Sequence, residues 1–379
     1  MEKKDLIEEF LDKKLLTAKS TRRCYRVNIE KYFRLLDKDI NTYLKNGNTL
    51  EDYESDLRRV YLMLQEQRKG LLSIRTVFTG VKQFMVTHDK ELKDLDFWEL
   101  LKNRTKGAEP ASDSAIFNTG SIKEILSHGN ACSRAMFLML ASSGRRIGEI
   151  LALLPSDVNT DVSPATINIK KTVNGNTTKT GQKTLCFISD EALSAYKTWM
   201  KERDEYLRIS LKRGNHEKDA NDPRVFPMSY HNALIIWRNL LMKANLVEIE
   251  NFKDKYTGKM NRRIKREHKG ERTLSHPHCL RRFYRSYLGD ADLAEYLMGH
   301  GTILTKTYRR MRPEDLAEKY RKLMQNVTIF ENTSKDVEEL RKSDKEKDER
   351  IKELETKLAN IENLLGLKKQ MEELIKNGK

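Results

Sequence analysis

Along most of this chain apolar residues return every three or four positions, but between residues 165 and 189 the period changes. There ATINIKKTV and KTLCFIS form β-branched runs separated by NGNTTKTGQ, a hairpin signal with Lys179, Gly181 and Lys183 at its tip. Helical spacing on either side of one hairpin gives the expected fold class: mainly α with a small antiparallel β-sheet.

At 379 residues the chain is longer than one average domain. Leu6, Ile7, Phe10 and Leu11, then Tyr25, Ile29, Phe33 and Leu36, predict a small helical domain over residues 1–103. Ser20 and Thr21 stand where an N-cap would precede the Tyr25 helix, and Asn46–Asn48 interrupt the pattern before a helix around Leu57–Gln67. Residues 104–120 lose apolar periodicity and gather turn formers, as a linker does. A second domain, 121–330, opens with helices over Ile122–His128 and Cys132–Ala141. Gly144 then breaks the pattern, and Ile147, Ile150, Leu151 and Leu154 define the face of a following helix on which Arg146 and Glu149 lie together. Helices are also expected over Glu191–Arg208, Ser229–Ala244 and Arg312–Asn326. In the tail, 331–379, Ile351, Leu354, Leu358, Ile361 and Leu365 alternate steps of three and four, the seam of a short coiled coil or of one docked helix.

The net charge is +16, yet residues 334–379 hold 12 basic and 12 acidic side chains, so the excess belongs to the body. A strongly basic body points to a polyanion, since phosphate neutralisation supplies much of the affinity of nucleic-acid binders. Candidate DNA contacts are Arg22, Arg23, Arg26, Arg58, Arg59 and Arg75 in the first domain and Lys183 at the hairpin tip. The cation-dense segment 251–273, with Arg262, Arg263, Lys265 and Arg266, reads as a flexible arm that orders on DNA. Cys24, Cys132, Cys186 and Cys279 are far apart with no CxxC pair, which argues against a disulfide framework or zinc site and for free thiols in a reducing cytoplasm. No apolar run is long enough to span a bilayer, so no membrane association is expected.

Residues 276–310, HPHCLRRFYRSYLGDADLAEYLMGHGTILTKTYRR, carry more polar chemistry than a fold requires. Breaking a phosphodiester without a metal takes a nucleophile, cations matched to the non-bridging oxygens and an acid for the leaving oxygen. Arginine pairs Arg145/Arg146 and Arg281/Arg282, several histidines and several tyrosines offer these groups, and acidic clusters that would hold paired magnesium ions are missing. Covalent catalysis without cofactor or metal is the reading that fits.

Four motifs resemble, in order, those of the tyrosine recombinases, the family of phage and archaeal integrases and Xer-type resolvases. SSGRRIGEI resembles the first arginine box and selects Arg146 over Arg145, with Glu149 behind it; KTGQK resembles the lysine hairpin and selects Lys179 over Lys183. HPHCLRR resembles the HxxR box and selects His278 and Arg281 over Arg282; LMGH selects His300, with Tyr308 downstream as nucleophile rather than Tyr296 or Tyr320. His276 and His268 match no motif. The step from His300 to Tyr308 is eight residues, one fewer than the family's usual spacing. The KSTRRCYRVNIEKYF stretch is similar to the family's core-binding domain, so the resemblance covers about residues 1–325.

The resemblance implies a two-domain C-clamp of a helical core-binding domain and a mixed catalytic domain. It further implies a 3′-phosphotyrosyl intermediate, double-stranded DNA carrying a specific site, and a homotetramer assembled on DNA from free monomers or dimers. Rival readings are a type IB topoisomerase or hairpin telomere resolvase with the same chemistry, and a DNA-binding regulator without catalysis.

Overall fold

The computed structural model describes residues 5–14, 18–44, 47–108, 117–170, 172–173, 176–177, 184–212, 219, 221–253, 258–265, 276–299 and 311–330. It is mainly helical with small antiparallel sheets, as the change of period predicts.

One hydrophobic core lies within residues 7–101 and is built by α1 (Leu6–Lys13), α2 (Lys19–Leu36), α3 (Ile40–Tyr43), α4 (Leu50–Glu66), α5 (Leu71–His88) and α6 (Asp96–Arg104). Phe10, Tyr32, Phe33, Phe78, Phe84 and Phe97 fill it, in tilted or edge-to-face pairs such as Phe10–Phe84 at 5.6 Å. Each such buried ring contributes on the order of 2 kcal/mol. The Asp5 carboxylate caps α1, accepting from the N–H groups of Ile7 (3.0 Å) and Glu8 (3.2 Å). Thr49 and Asp52 cap α4 reciprocally, which starts that helix seven residues earlier than Leu57. The expected cap at Ser20 and Thr21 is incorrect: α2 begins at Lys19, Ala18 takes the cap position without a side-chain bond, and both hydroxyl residues lie inside the first turn. Ion pairs secure that turn instead, Arg22 to Glu8 and Asp12, and Arg26 to Asp5, Glu8 and Glu30. Buried Asp56 is satisfied by Lys38 (2.5 Å) and the Tyr43 hydroxyl (2.8 Å).

A second core lies within residues 117–329. Its helices are α7 (Thr119–Ser127), α8 (Ala131–Ser143), α9 (Ile147–Ile150), α10 (Asp190–Lys212), α11 (Tyr230–Lys243), α12 (His278–Tyr287), α13 (Ala291–Leu297) and α14 (Pro313–Leu323). α8 is buried almost all round, which its AMFLMLA run requires, and α10 and α12 pack on it. α9 is one turn only: Pro155 cannot supply the N–H a continuing helix needs, so the chain passes into a 3-10 turn at Pro155–Asp157.

The expected hairpin forms from β2 (Thr166–Ile169) and β5 (Thr184–Phe187), pairing Ile167 with Cys186 and Ile169 with Thr184. β1 (Val158–Asn159) adds an edge, and β3 (Thr172–Val173) pairs with β4 (Asn176–Thr177) within the hairpin. The segment read as a flexible arm is corrected in part. β6 (Ile249–Lys253) and β7 (Met260–Ile264) pair as an antiparallel ribbon, held by Arg263–Glu250 (2.7 Å) and Lys265–Glu248 (2.8 Å), while residues 266–273 of that segment lie outside the described residues. Past α14, the Glu191 carboxylate at the start of α10 accepts from the N–H groups of Ile329 (2.6 Å) and Phe330 (2.7 Å). No described helix is long and apolar enough to cross a membrane.

Candidate active site

The site forms where α8 ends. Gly144 takes the left-handed conformation (φ +61°) that closes a helix without a Cβ penalty, and the buried ring of Tyr284 packs directly on it. Turning the chain there points two successive arginines in different directions. Arg145 goes inward and is 2% exposed; Arg146 stays partly open at the mouth. One helical turn later the Glu149 carboxylate accepts from the Arg146 backbone N–H (3.0 Å) and from its Nη1 (3.1 Å), so the acid fixes the guanidinium from behind.

The second arginine comes from α12, 135 residues later, because Cys279, Leu280, Phe283 and Tyr284 bury that helix against the core. Arg281 donates from Nη1 to the Gly144 carbonyl (2.6 Å) and from Nη2 to the Met298 carbonyl (3.2 Å). Both acceptors lie at helix C-termini, of α8 and α13, where carbonyls lack helical partners and a cation is favoured. Burial, and Arg146 beside it, push the Arg281 pKa down to about 10, so it remains charged at neutral pH.

His278 is one turn before Arg281 on the same helix face, with its outer edge in solvent. Crowding on its protein side, then the positive charges of His276, Arg281, Arg282 and Arg146, hold its pKa down to about 4. At neutral pH the imidazole is uncharged and can accept a proton, as a general base must. His276, which matches no motif, accepts from the His278 backbone N–H through Nδ1 (3.2 Å) and so helps start α12.

Arg146, Glu149, His278 and Arg281 are thus brought to one place. Lys179, Lys183, His300, Tyr308 and Arg266 lie outside the described residues. The described ends leading to two of them do converge: a Cβ on Gly299, next to His300, would lie 3.7 Å from the side chain of Thr184, the first residue of β5. Tyr320 is not placed to be a nucleophile; it is fully buried, donates to the Ser142 carbonyl (2.7 Å) and stacks on Phe187. Cys279 is buried too, and burial raises its thiol pKa far from the reactive range. Sequence reasoning missed the Gly144 and Met298 carbonyls as arginine ligands and the inward course of Arg145; of these only Gly144, a helix-stopping glycine, left a signal.

Among the candidate DNA contacts, Arg23, Arg59, Arg75 and Arg262 are exposed. Arg22 and Arg26 are held by the acids of α1, Arg58 by Glu54 (3.3 Å), Arg263 by Glu250 and the Phe252 ring (4.8 Å), and Lys265 by Glu248.

A mainly helical fold with a small antiparallel sheet brings Arg146 together with His278 and Arg281 from a segment more than 130 residues later, cations and an imidazole of the kind that suit a phosphodiester. The family model described as the phage integrase family matches residues 118–314. Solved structures with the same fold include the Tn1549 transposon integrase in complex with a circular intermediate DNA, at 14% identity over 84% of this chain and 98% of that one, with a TM-score of 0.51. A lambda integrase dimer bound to a COC′ core site is another, at 14% identity over 83% and 76%, with a TM-score of 0.50. Comparison with curated proteins gives no match. The chain belongs to the phage integrase family: it is a tyrosine recombinase, an enzyme of site-specific DNA recombination.

Proposed function

We propose that Tyr308 attacks the scissile phosphate to give a 3′-phosphotyrosyl intermediate and a 5′ hydroxyl, which then attacks a partner strand and releases the tyrosine. Arg146 and Arg281 neutralise the non-bridging oxygens, His278 takes the tyrosine proton, Lys179 protonates the leaving oxygen, and His300 hydrogen-bonds the phosphate as charge builds on it. The observation that carries this reading is the pairing of Arg281 with the Gly144 carbonyl, which joins the HxxR segment to the first arginine box across 137 residues of sequence. A fork fixed by two carbonyls is preorganised, and an electrostatic catalyst gains most from groups that need not move.

In this reading residues 1–103 and 121–330 are two domains that close on double-stranded DNA as a C-clamp, joined by the linker at 104–120. The exposed Arg23, Arg59, Arg75 and Arg262 are then the stronger phosphate contacts, because Arg22, Arg26, Arg58 and Arg263 already have acidic partners. The enzyme assembles as a tetramer on two copies of its site in the cytoplasm, integrating or excising a mobile element or resolving replicons, with the 331–379 seam as a self-association element. A supercoiled plasmid carrying two copies of the site tests the function: recombinant circles support it, relaxation without exchange favours the topoisomerase, and unchanged DNA favours the regulator.

A further inference from the structure

The inward arginine has no role in the chemistry described so far. Arg145 is 2% exposed, its Nη2 donates to the Leu185 carbonyl of β5 (3.3 Å), and its Nη1 is 3.0 Å from the position a Cβ on Gly299 would occupy. It also lies against the buried Cys186 thiol, and its Nε has no partner among the described residues. No carboxylate among the described residues pairs with it. A buried cation so placed costs more than an apolar side chain of similar volume would. Packing alone therefore does not account for an arginine here.

What the guanidinium does touch is informative. β5 begins five residues after Lys179 in the sequence, and Gly299 immediately precedes His300. Gly299 has φ +78° and no Cβ, which lets its backbone pass close to Arg145 and Thr184. We propose that Arg145 is a positioning residue: its fork braces β5 and the Gly299 turn, the described ends that lead to Lys179 and His300, in register with the helix end that presents Arg146 and with Arg281. The inference rests on the strand-transfer reading above. Displacement of a reacting group by about 1 Å can cost roughly a hundredfold in rate.

The test uses the full chain and a nicked suicide substrate carrying the site. Single-turnover formation of the covalent adduct is measured for Arg145→Met and Arg145→Lys, alongside DNA affinity, thermal stability and hydrogen exchange at residues 184–187. The expected result for Arg145→Met is cleavage slower by roughly 10- to 100-fold, affinity within about twofold, a melting temperature unchanged or higher, and faster exchange at 184–187. Arg145→Lys keeps the charge but not the fork, and is expected to be slowed as well. Wild-type cleavage by either variant, or parallel losses of stability and binding, overturns the brace and leaves the strand-transfer reading intact. Absence of an adduct with the unaltered protein overturns both.

Discussion

Gly144→Ala measures how much the site depends on the turn that ends α8. A Cβ there would lie 2.2 Å from Cδ1 of Tyr284 and 2.8 Å from its Cγ and Cε1, and the ring is fully buried. The left-handed conformation costs a residue with a Cβ about 1–2 kcal/mol, and forced repacking of a filled core about 1–3 kcal/mol. Together these give a loss of about 2–5 kcal/mol, or about 4–20 °C in melting temperature for a unit of this size. Gly148→Ala is the internal control: a Cβ there meets nothing within 4 Å, so alanine is expected to be neutral or to stabilise by about 0.5–1 kcal/mol. Urea and thermal unfolding read the difference. Because the Gly144 carbonyl also anchors Arg281, adduct formation well below the lowered melting temperature is expected to fall further than the unfolded fraction explains. A Gly144→Ala protein within about 0.5 kcal/mol of its parent, the range of neutral surface changes, would refute the packing argument.

Two further outcomes follow from the site. Since the folded His278 has a pKa of about 4 against an ordinary 6.5, the unfolded chain binds that proton first; stability is expected to fall as pH drops from about 6.5 towards 4, and His278→Gln to flatten that loss in urea titrations. Tyr320→Phe removes a buried hydrogen bond to the Ser142 carbonyl and is expected to destabilise by about 1–3 kcal/mol while still forming the covalent adduct; loss of the adduct in a folded variant would contradict its structural role.

Much of this was legible in residue spacing. α8, α10 and α11 lie within a few residues of the limits expected, and the β2–β5 ladder follows from its β-branched runs, because in each the apolar period matches the face that becomes buried. Of the two adjacent arginines of the first box, Arg146 is partly open and held by Glu149, while Arg145 turns into the core. The opposite fates of adjacent arginines were not legible, since they are decided by the single backbone turn at Gly144 and by what β5 and residue 299 bring to either side. The β6–β7 ribbon escaped notice because its cross-strand partners are Glu250 with Arg263 and Asn251 with Arg262, with little apolar alternation. The ion pairs of Arg22 and Arg26 with Asp5, Glu8 and Asp12 were not legible, since those acids belong to the α1 segment and share no period with α2; only the Arg26–Glu30 spacing of four was visible.

The most direct test of the central claim is to trap the reaction on a nicked suicide substrate and map the DNA-bearing peptide by mass spectrometry. The account expects a phosphotyrosyl bond at Tyr308, and expects Tyr308→Phe to bind the same DNA with unchanged affinity while forming no adduct. An adduct that persists in Tyr308→Phe, or that maps to another residue, would contradict it.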